Sequence, residues 1–136
     1  MAEDVYKKSL QLHEKLGGKL RVISKVRLKS RAQLSLLYTP GVAEASRVLA
    51  SSPGRARELT IKKNTIAVVS DGSAVLGLGN IGPFGAIPVM EGKALLFKEL
   101  GGVDAFPICL TTQESSEIIE TVKRISTVTT SFLFSL

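Results

Sequence analysis

Hydrophobic and polar positions along the chain change their spacing from one segment to the next. From residue 3 to residue 16 the apolar positions follow helical spacing, and Gly17-Gly18 comes directly after them. This pattern predicts an amphipathic helix over residues 3–16 that ends at the two glycines. From residue 19 to residue 31 most odd positions carry Lys or Arg, and most even positions carry Leu or Val. Such alternation predicts a strand with one basic face and one apolar face.

Two short helices separated by a turn are predicted next. Ser30 and Gln33 have the spacing of a capping box, which predicts a helix through Leu37. Thr39 precedes a proline, and a residue in that place is disfavoured in the helical conformation, so the chain is expected to turn there. Apolar spacing then predicts a helix over residues 42–51.

The second half of the chain predicts an α/β fold. Residues 65–69 and 103–110 are apolar runs typical of buried strands, and residues 83–100 between them have a mostly helical pattern. Thr111 and Glu114 predict the cap of a last helix, whose apolar face consists of Ile118, Ile119, Val122 and Ile125. Strands joined through a helix normally form a right-handed parallel crossover. We therefore expect a small parallel or mixed sheet flanked by helices.

A long charge-poor segment lies at the centre of the chain. Between Lys63 and Glu91 the only charged residue is Asp71. The glycines and prolines of this segment are incompatible with one membrane-spanning helix. We expect instead a buried strand, a glycine-rich turn with one acid, and a helix that carries Lys93. That arrangement suits an active-site wall, and it also suits a tight structural crossover.

The same segment contains a possible nucleotide motif. The run Gly77-Leu78-Gly79-Asn80-Ile81-Gly82 satisfies G-x-G-x-x-G after a strand, and Glu99 lies 17 residues beyond its last glycine. However, the motif begins six residues past the expected strand end at Asp71. Pro83 and Pro88 also crowd the helix start that would hold a pyrophosphate. The dinucleotide interpretation is therefore disfavoured.

Composition restricts the class of protein. With 136 residues, 44% of them hydrophobic and 22% charged, the chain is expected to form one soluble globular domain. Cys109 is the only cysteine, which excludes an internal disulfide, and its apolar neighbours predict an inert core position. The first ten residues lack the apolar stretch of a secretory signal, so we expect a cytoplasmic location.

The net charge of +6 is unevenly distributed. Residues 1–63 carry 14 Lys and Arg against 5 Asp and Glu, whereas residues 64–136 carry 4 against 7. A basic strand face can follow a phosphate backbone, but no aromatic residue is interleaved for base stacking. An edge strand guarded by cations is the favoured interpretation, and attraction of a small anion or an acidic partner is an alternative. We expect neither a nucleic-acid partner nor a membrane.

Three stretches carry motifs that are specific in combination: YTPGVAEASRVLA at 38–50, VVSDGSAVLGLGNIGPFGAIPVMEGKALLFKELGGVDAFPICL at 68–110, and TQESSEIIETVKRI at 112–125. Together they closely resemble the N-terminal domain of malic enzymes, the NAD(P)-dependent, decarboxylating malate oxidoreductases, in their short prokaryotic type. The resemblance implies that the glycine segment belongs to a substrate domain. In this family the nucleotide is bound by a separate, later Rossmann domain, which is absent from this chain.

The resemblance implies roles for individual residues. Lys93 matches the lysine that acts as general base on the C2 hydroxyl of malate, and Tyr38 matches the tyrosine that protonates C3 of the enol. Asp71, Gly72 and Asn80 match positions of the substrate-pocket wall. Taken without the resemblance, such residues are more often a solvated lysine, a packed tyrosine and turn formers. The catalytic assignment requires the Tyr38 phenol and the Lys93 amine to converge on one cleft.

Cofactors and domain limits also follow from the resemblance. A full-length family enzyme is expected to use NAD or NADP and Mg²⁺ or Mn²⁺, and the acidic metal ligands of the family follow the point where this chain reads Ile125. Here no acid occurs after Glu120, so we assign no metal or nucleotide ligand. We expect a partial domain over residues 1–125 and a divergent apolar tail over residues 126–136, whose simplest origin is a truncated or shifted reading frame. The tail is expected to form a strand or to promote aggregation.

Three functions are compared on this basis. The favoured one is the substrate and catalytic portion of a malic enzyme, acting on malate to give pyruvate and CO2, and inactive alone. The second is a non-catalytic fragment that forms a homo-oligomer or pairs with a full-length enzyme. The third is a basic nucleic-acid-binding domain, which the missing aromatic residues disfavour.

Overall fold

The computed structural model describes residues 2–135, with the backbone alone for Ala2 and Glu3. The helices are α1 (Ala2–Leu16), α2 (Arg31–Leu37), α3 (Val42–Ser51), α4 (Ala56–Leu59), α5 (Gly82–Gly101) and α6 (Ser115–Ile125). The strands are β1 (Thr65–Ser70), β2 (Asp104–Cys109) and β3 (Ser131–Phe134). Two short 3-10 turns, Pro53–Arg55 and Ile61–Lys63, flank α4.

The three strands form one parallel sheet with β1 at its centre. In this sheet β2 lies on one side of β1 and β3 on the other. Ile66 is opposite Ala105 on β2 and opposite Ser131 on β3. The predicted α/β class with a small parallel sheet is therefore confirmed. The handedness of the crossover stays a prediction.

The core lies between the sheet and α5. Val68 of the central strand packs with Met90 and Ala94 of the helix and with Ala105 of β2. All four side chains are buried, because a central parallel strand is covered by neighbours on both edges and by a helix on its face. Gly102, with φ +66°, ends α5 in the left-handed conformation that glycine adopts without a steric penalty. None of the described helices is long and apolar enough to cross a membrane.

The first two helices agree with their predicted signals. Helix α1 ends at Gly17, whose N–H donates to the His13 carbonyl at 3.0 Å. Helix α2 begins after Ser30, whose hydroxyl accepts from the Gln33 N–H at 3.2 Å. The return contact of the capping box is displaced by one residue, because the Gln33 side chain accepts from the Lys29 N–H at 2.7 Å.

The basic strand predicted over residues 19–31 is wrong. The segment pairs with no strand within the described residues and bends at Lys25 and Val26, where the Ser24 hydroxyl donates to the Val26 carbonyl at 2.6 Å. Alternation of side chains fixes which face is apolar, but a strand also needs a neighbouring backbone to complete its ladder.

The predicted cap of the last helix is also wrong in detail. Glu114 occupies the N-cap position of α6 without a side-chain hydrogen bond. Thr112 takes the capping role instead of Thr111, since its hydroxyl accepts from the Glu114 N–H at 3.2 Å and also bonds the Glu117 carboxylate. On the predicted apolar face Ile118 is buried, but Ile119 is exposed.

The apolar tail forms the third strand. Its entry is held by Lys62, whose ammonium group donates to the carbonyls of Ser126 and Thr129, both at 2.6 Å. The Thr130 N–H then donates to the Thr65 carbonyl at 2.7 Å and opens the ladder with β1. Of the outcomes expected for this segment, the structure therefore contains the added strand.

Candidate active site

The candidate site lies where the chain leaves the carboxyl edge of the parallel sheet. Strand β1 ends at Ser70 and is followed by Asp71 and Gly72, β2 ends at Cys109, and β3 is followed by Ser135. The loops at this edge of a parallel sheet are the usual location of ligand sites in α/β folds. The edge therefore unites three segments that are distant in the sequence.

Lys93 connects α5 to the end of the third strand. The residue is half-buried, and its ammonium group donates a hydrogen bond to the Ser135 hydroxyl. The Ser135 backbone is itself fixed, since its N–H donates to the Val69 carbonyl at 2.9 Å. The lysine is therefore held against the sheet edge and is not a fully solvated side chain.

Asp71 is buried and turns the chain at the end of β1. Its Oδ1 accepts from the Ser73 N–H at 2.9 Å and from the Ser73 hydroxyl at 2.7 Å. This local pattern is an Asx turn, so the structural interpretation of Asp71 given by its sequence context applies. The turn fixes the start of the loop that follows β1. The pocket-wall role of Asp71 stays a prediction.

Gly72, just after β1, lies directly against the Gly82 backbone at the start of α5. Its φ is +73°, and a Cβ there would collide with the Gly82 carbonyl oxygen. The Gly72 carbonyl accepts from the N–H groups of Ile81 and Gly82, at 3.1 and 3.2 Å. Only glycine fits this crossing, which brings the start of the helix against the end of the strand.

Asn80 joins the loop after β1 to the loop after β2. Its side chain exchanges two hydrogen bonds with Gln113, each of 3.1 Å, and its Oδ1 also accepts from the Gly82 N–H at 3.3 Å. Both residues are exposed. Asp71, Gly72 and Asn80 thus lie along one continuous stretch of backbone that ends at α5.

Tyr38 lies elsewhere in the chain, at the C-cap of α2. Its backbone N–H donates to the Leu34 carbonyl, and its carbonyl accepts from the Val42 N–H. The ring is 66% exposed, and within residues 2–135 no hydrogen bond joins its phenol to another side chain. The convergence of Tyr38 with Lys93 stays a prediction.

The glycine motif is a closed turn. Val75 and Gly79 form two reciprocal backbone hydrogen bonds, at 2.9 and 3.1 Å, and the Leu78 N–H also donates to the Val75 carbonyl. A pyrophosphate site needs backbone N–H groups that point at the ligand. Most N–H groups of this motif already donate within the chain, which agrees with the disfavoured nucleotide interpretation.

The described acidic residues do not fit a divalent cation. Hard cations need several clustered oxygen ligands, and among residues 2–135 no three His, Cys, Asp or Glu side chains converge on one point.

Two side chains, Asp104 and Cys109, have perturbed pKa values. The hydrogen bond from Lys98 holds the pKa of the Asp104 carboxyl below its usual range, and burial raises the pKa of the Cys109 thiol. A raised thiol pKa agrees with an unreactive Cys109.

Two residues of this edge were missed by sequence reasoning. Gln113 lies in the stretch 112–125, which carries part of the family resemblance, but an exposed glutamine in a loop has no distinguishing signal. Ser135 falls in the divergent tail, where its meeting with Lys93 depends on strand pairing.

Comparisons with known proteins identify the family of the chain. The family model for the malic enzyme N-terminal domain matches residues 17–124. The chain belongs to this family. The match contains β1, α5, β2 and the predicted site residues, and it ends before β3.

Related malic enzymes are considerably longer than this chain. The NAD-dependent malic enzyme of Geobacillus stearothermophilus is 60% identical over 111 residues, which cover 82% of this chain and 23% of the relative. The bifunctional malic/malolactic enzyme of Bacillus subtilis is 53% identical over 115 residues, which cover 85% of this chain and 28% of the relative. The chain thus spans about a quarter of these malic enzymes.

Solved malic enzyme structures have the same fold. The NAD-dependent malic enzyme of Thermotoga maritima aligns with a TM-score of 0.89 at 52% identity, over 92% of this chain and 35% of that chain. The malic enzyme of Entamoeba histolytica aligns with a TM-score of 0.90 at 33% identity, over 98% of this chain and 29% of that chain. The predicted family and fold are therefore confirmed.

Proposed function

We propose that this chain is the substrate and catalytic portion of a malic enzyme, which oxidatively decarboxylates malate to pyruvate and CO2, and that it is inactive alone. The observation that carries the proposal is Lys93, half-buried on α5 and held by a hydrogen bond to Ser135, at the end of the sheet where β1 leads into the loop that begins at Asp71. Family membership supports the assignment of the substrate class.

In this proposal Lys93 holds the proton of the C2 hydroxyl. An ammonium group has a pKa near 10.4 in water and must lose its proton before it can act as a base. The Tyr38 phenol supplies the proton that C3 receives after CO2 has left. Asp71, Gly72 and Asn80 shape the wall against which malate is oriented.

The nucleotide and the metal belong to the remainder of a full-length enzyme. Bound NAD or NADP would accept the hydride from C2, and relatives of both specificities are similar to this chain. The described residues fit neither group, so no step of the proposal passes through them. We also propose a cytoplasmic location, since a single cysteine is typical of reducing compartments.

A chimera tests the catalytic proposal. Residues 1–125 of this chain are joined to the remaining sequence of the Geobacillus stearothermophilus enzyme, and malate-dependent NAD⁺ reduction is measured. We expect activity from the chimera and none from the 136-residue chain. Lys93→Ala and Tyr38→Phe should each lower kcat by about 10²–10⁴-fold, the usual contribution of a general acid or base.

Lys98→Ala is the matched control, because Lys98 lies on the same helix but pairs with Asp104 outside the pocket. Its kcat should stay within about twofold of the chimera, as is usual for exposed ion pairs. A Lys93→Ala chimera with undiminished kcat would contradict the assignment of the base.

We also propose that the chain forms a homo-oligomer. The supporting observation is the exposure of large apolar side chains on its N-terminal helices, such as Leu10 at 62% and Leu36 at 75%. Size-exclusion chromatography with light scattering should give a mass of at least twice 14.5 kDa. A monomer at about 100 μM, a concentration at which obligate dimers are associated, would contradict it.

A further inference from the structure

The two edges of the parallel sheet differ in how they are protected. Strand β2, at one edge, contains Pro107, which has no N–H group, and begins at Asp104, which forms an ion pair with Lys98. Strand β3, at the other edge, contains no proline and no charged residue, and neither occurs from residue 126 to residue 136. Proteins normally protect an exposed edge strand with charge, proline or a covering segment. The β3 edge therefore lacks the sequence features that prevent strand pairing.

The backbone of β3 directs polar groups along this edge. Phe134 lies opposite Val69 in the ladder, and the Val69 carbonyl accepts from the next residue, Ser135, at 2.9 Å. In a parallel ladder a bonding residue pairs with the two residues that flank its partner, so the N–H and carbonyl of Phe134 point away from β1. These directions alternate along a strand, and the same groups of Phe132 therefore also point outward. Within the described residues no strand pairs with this side of β3.

The side chains along this edge are apolar. Phe132 and Phe134 lie on one face of the sheet, where their rings stack with centroids 6.5 Å apart. Leu133 lies on the other face, which is the face of α5, because its ladder partner Val68 packs against that helix. Phe134 is 48% exposed and Leu133 is 37% exposed. An uncharged strand with outward backbone groups and exposed apolar side chains is suited to accept another strand.

The geometry of β3 allows it to pair with a second copy of itself. A two-fold axis through Leu133 makes the two strands antiparallel, with Phe132 of each copy opposite Phe134 of the other. Because both residues direct their N–H and carbonyl groups outward, each opposed pair can exchange both of its hydrogen bonds. The phenylalanine rings of the two copies then meet on one face, and aromatic pairs on opposite strands are favourable. No charged side chain of the tail opposes the approach.

The other edge of the sheet is a poorer partner for β3. A ladder with the outer side of β2 would be interrupted at Pro107. Pairing of β3 with β2 would also be head-to-tail, which leaves unpaired edges at both ends of the assembly. Pairing of β3 with β3 uses the same surface on both copies and closes at a dimer.

We propose that two copies of the chain associate edge to edge through β3, in antiparallel register with Leu133 on the two-fold axis, so that their sheets join into one continuous sheet. Pairing gives partners to the outward backbone groups of Phe132 and Phe134 and covers exposed apolar side chains. This inference rests on the proposed self-association and assigns it to a surface other than the N-terminal helices. The contact is short, so the dimer is expected to dissociate on dilution.

A disulfide cross-link tests the register. Cys109, the only cysteine, is first replaced by alanine. In the proposed register the Leu133 Cα atoms of the two copies are about 4.5 Å apart, which a disulfide can bridge. The Cα atoms of Ser131, also exposed on β3, are about 13 Å apart, which is too far. Under mild oxidation at about 100 μM we expect Leu133→Cys to give at least about tenfold more covalent dimer than the matched control Ser131→Cys.

Hydrogen exchange in the unaltered chain gives a second readout that needs no substitution. The Phe134 N–H is unpaired in a monomer and bonded in the proposed dimer, whereas the Ser135 N–H donates to Val69 in both. Between about 1 and 100 μM we expect exchange at Phe134 to slow at least about tenfold and exchange at Ser135 to change by less than about twofold.

The outcomes separate the strand pairing from the proposed function. A wild type that is monomeric at about 100 μM overturns both the strand pairing and the self-association. A dimer in which both cysteine variants cross-link equally, or in which exchange at Phe134 does not depend on concentration, overturns the strand pairing and leaves the self-association. Circular dichroism verifies that both variants are folded, and exchange in the unaltered chain decides if one is not. The malate chemistry is tested separately by the chimera.

Discussion

The N-terminal arm, residues 4–63, and the sheet region, residues 64–135, differ in how their apolar side chains are covered. In the sheet region, local patterns and tertiary contacts agree, because β1 is apolar, central and covered by α5. In the arm, the local patterns are equally clear but the contacts are few. Helix α1 is amphipathic, for example, yet Leu10 and Leu16 are 62% and 55% exposed.

This difference separates two kinds of information in the sequence. A pattern of apolar positions predicts that one face of an element is buried. It does not predict which other segment, of the same chain or of another, packs against that face. The sheet region covers its own faces. In the arm, a helix start is capped locally, as Ser30 caps α2, but large apolar side chains are left exposed. Substitutions should therefore have unequal effects in the two regions.

The largest contrast is expected between two glycines. Gly72→Ala places a Cβ against the Gly82 carbonyl at a φ of +73°, whereas Gly54 in the arm has no atom within 4 Å of the same position. We expect Gly72→Ala to lower the free energy of unfolding by at least about 4 kcal/mol, the range reserved for specific steric defects. Gly54→Ala should change it by less than about 0.5 kcal/mol. Urea denaturation followed by circular dichroism measures both, and equal effects would remove the contrast.

Apolar truncation gives the next contrast. Met90 is 1% exposed between α5 and the sheet, and Leu36 of the arm is 75% exposed. Met90→Ala should cost about 2–4 kcal/mol through lost burial and a residual cavity. Leu36→Ala should cost less than about 0.5 kcal/mol in the unfolding of a dilute monomer. A large effect of Leu36→Ala at low concentration would show that the arm packs on its own chain.

A substitution of Lys62 tests how much the contact between the arm and the tail contributes to the free energy of unfolding. Its ammonium group binds the carbonyls of Ser126 and Thr129, so Lys62→Met should cost about 1–2 kcal/mol, the loss of charged hydrogen bonds at a half-buried site. Lys63→Met is the control, since Lys63 is exposed. The same denaturation curves apply, and the prediction fails if both variants are equally stable.

The smallest effect is electrostatic and depends on pH. The hydrogen bond from Lys98 lowers the pKa of Asp104 in the folded chain, so its stabilisation is present above the unfolded pKa of about 3.9 and is lost as the pH falls through the folded value. Asp104→Asn should cost less than about 1 kcal/mol at pH 6, because the pair is solvent-screened. The difference should shrink as the pH falls through the folded pKa, because the carboxyl then becomes protonated in both states.

Glu44→Gln supplies the comparison from the arm, where Glu44 pairs with Arg47 on the exposed face of α3. Its effect should be smaller than that of Asp104→Asn at pH 6. Thermal denaturation across pH 2.5–7 measures both variants. A larger effect at pH 3 than at pH 6 would contradict the sign of the Asp104 shift.

Most of the sheet region could be predicted from the sequence. The apolar runs at 65–69 and 103–110 and the helix between them are local patterns, and two strands joined by a helix allow few topologies. The resemblance assigns Gly72 and Asn80 to a pocket wall, which stays a prediction. The structure shows a close backbone contact at Gly72 and a side-chain pair at Asn80.

The rest could not be predicted because it depends on distant partners. The basic segment has strand periodicity, but a ladder needs a neighbour that periodicity does not supply. Thr112, and not Thr111, accepts the hydrogen bond from the Glu114 N–H. The two neighbouring threonines have the same side chain, so the sequence alone does not distinguish them. The contact of Lys93 with Ser135 joins residues 42 positions apart through strand pairing, and no local rule anticipates it.

The pairing of Ser131–Phe134 with β1 uses main-chain atoms, and main-chain atoms are common to all residue types except proline. The side chains of β3 can therefore be substituted during evolution while the strand keeps its pairing with β1. The side chain at position 135 stays within reach of the Lys93 amine, because the N–H of that residue donates to the Val69 carbonyl. A substitution at position 135 would therefore change the side chain next to Lys93 while the backbone path stays the same.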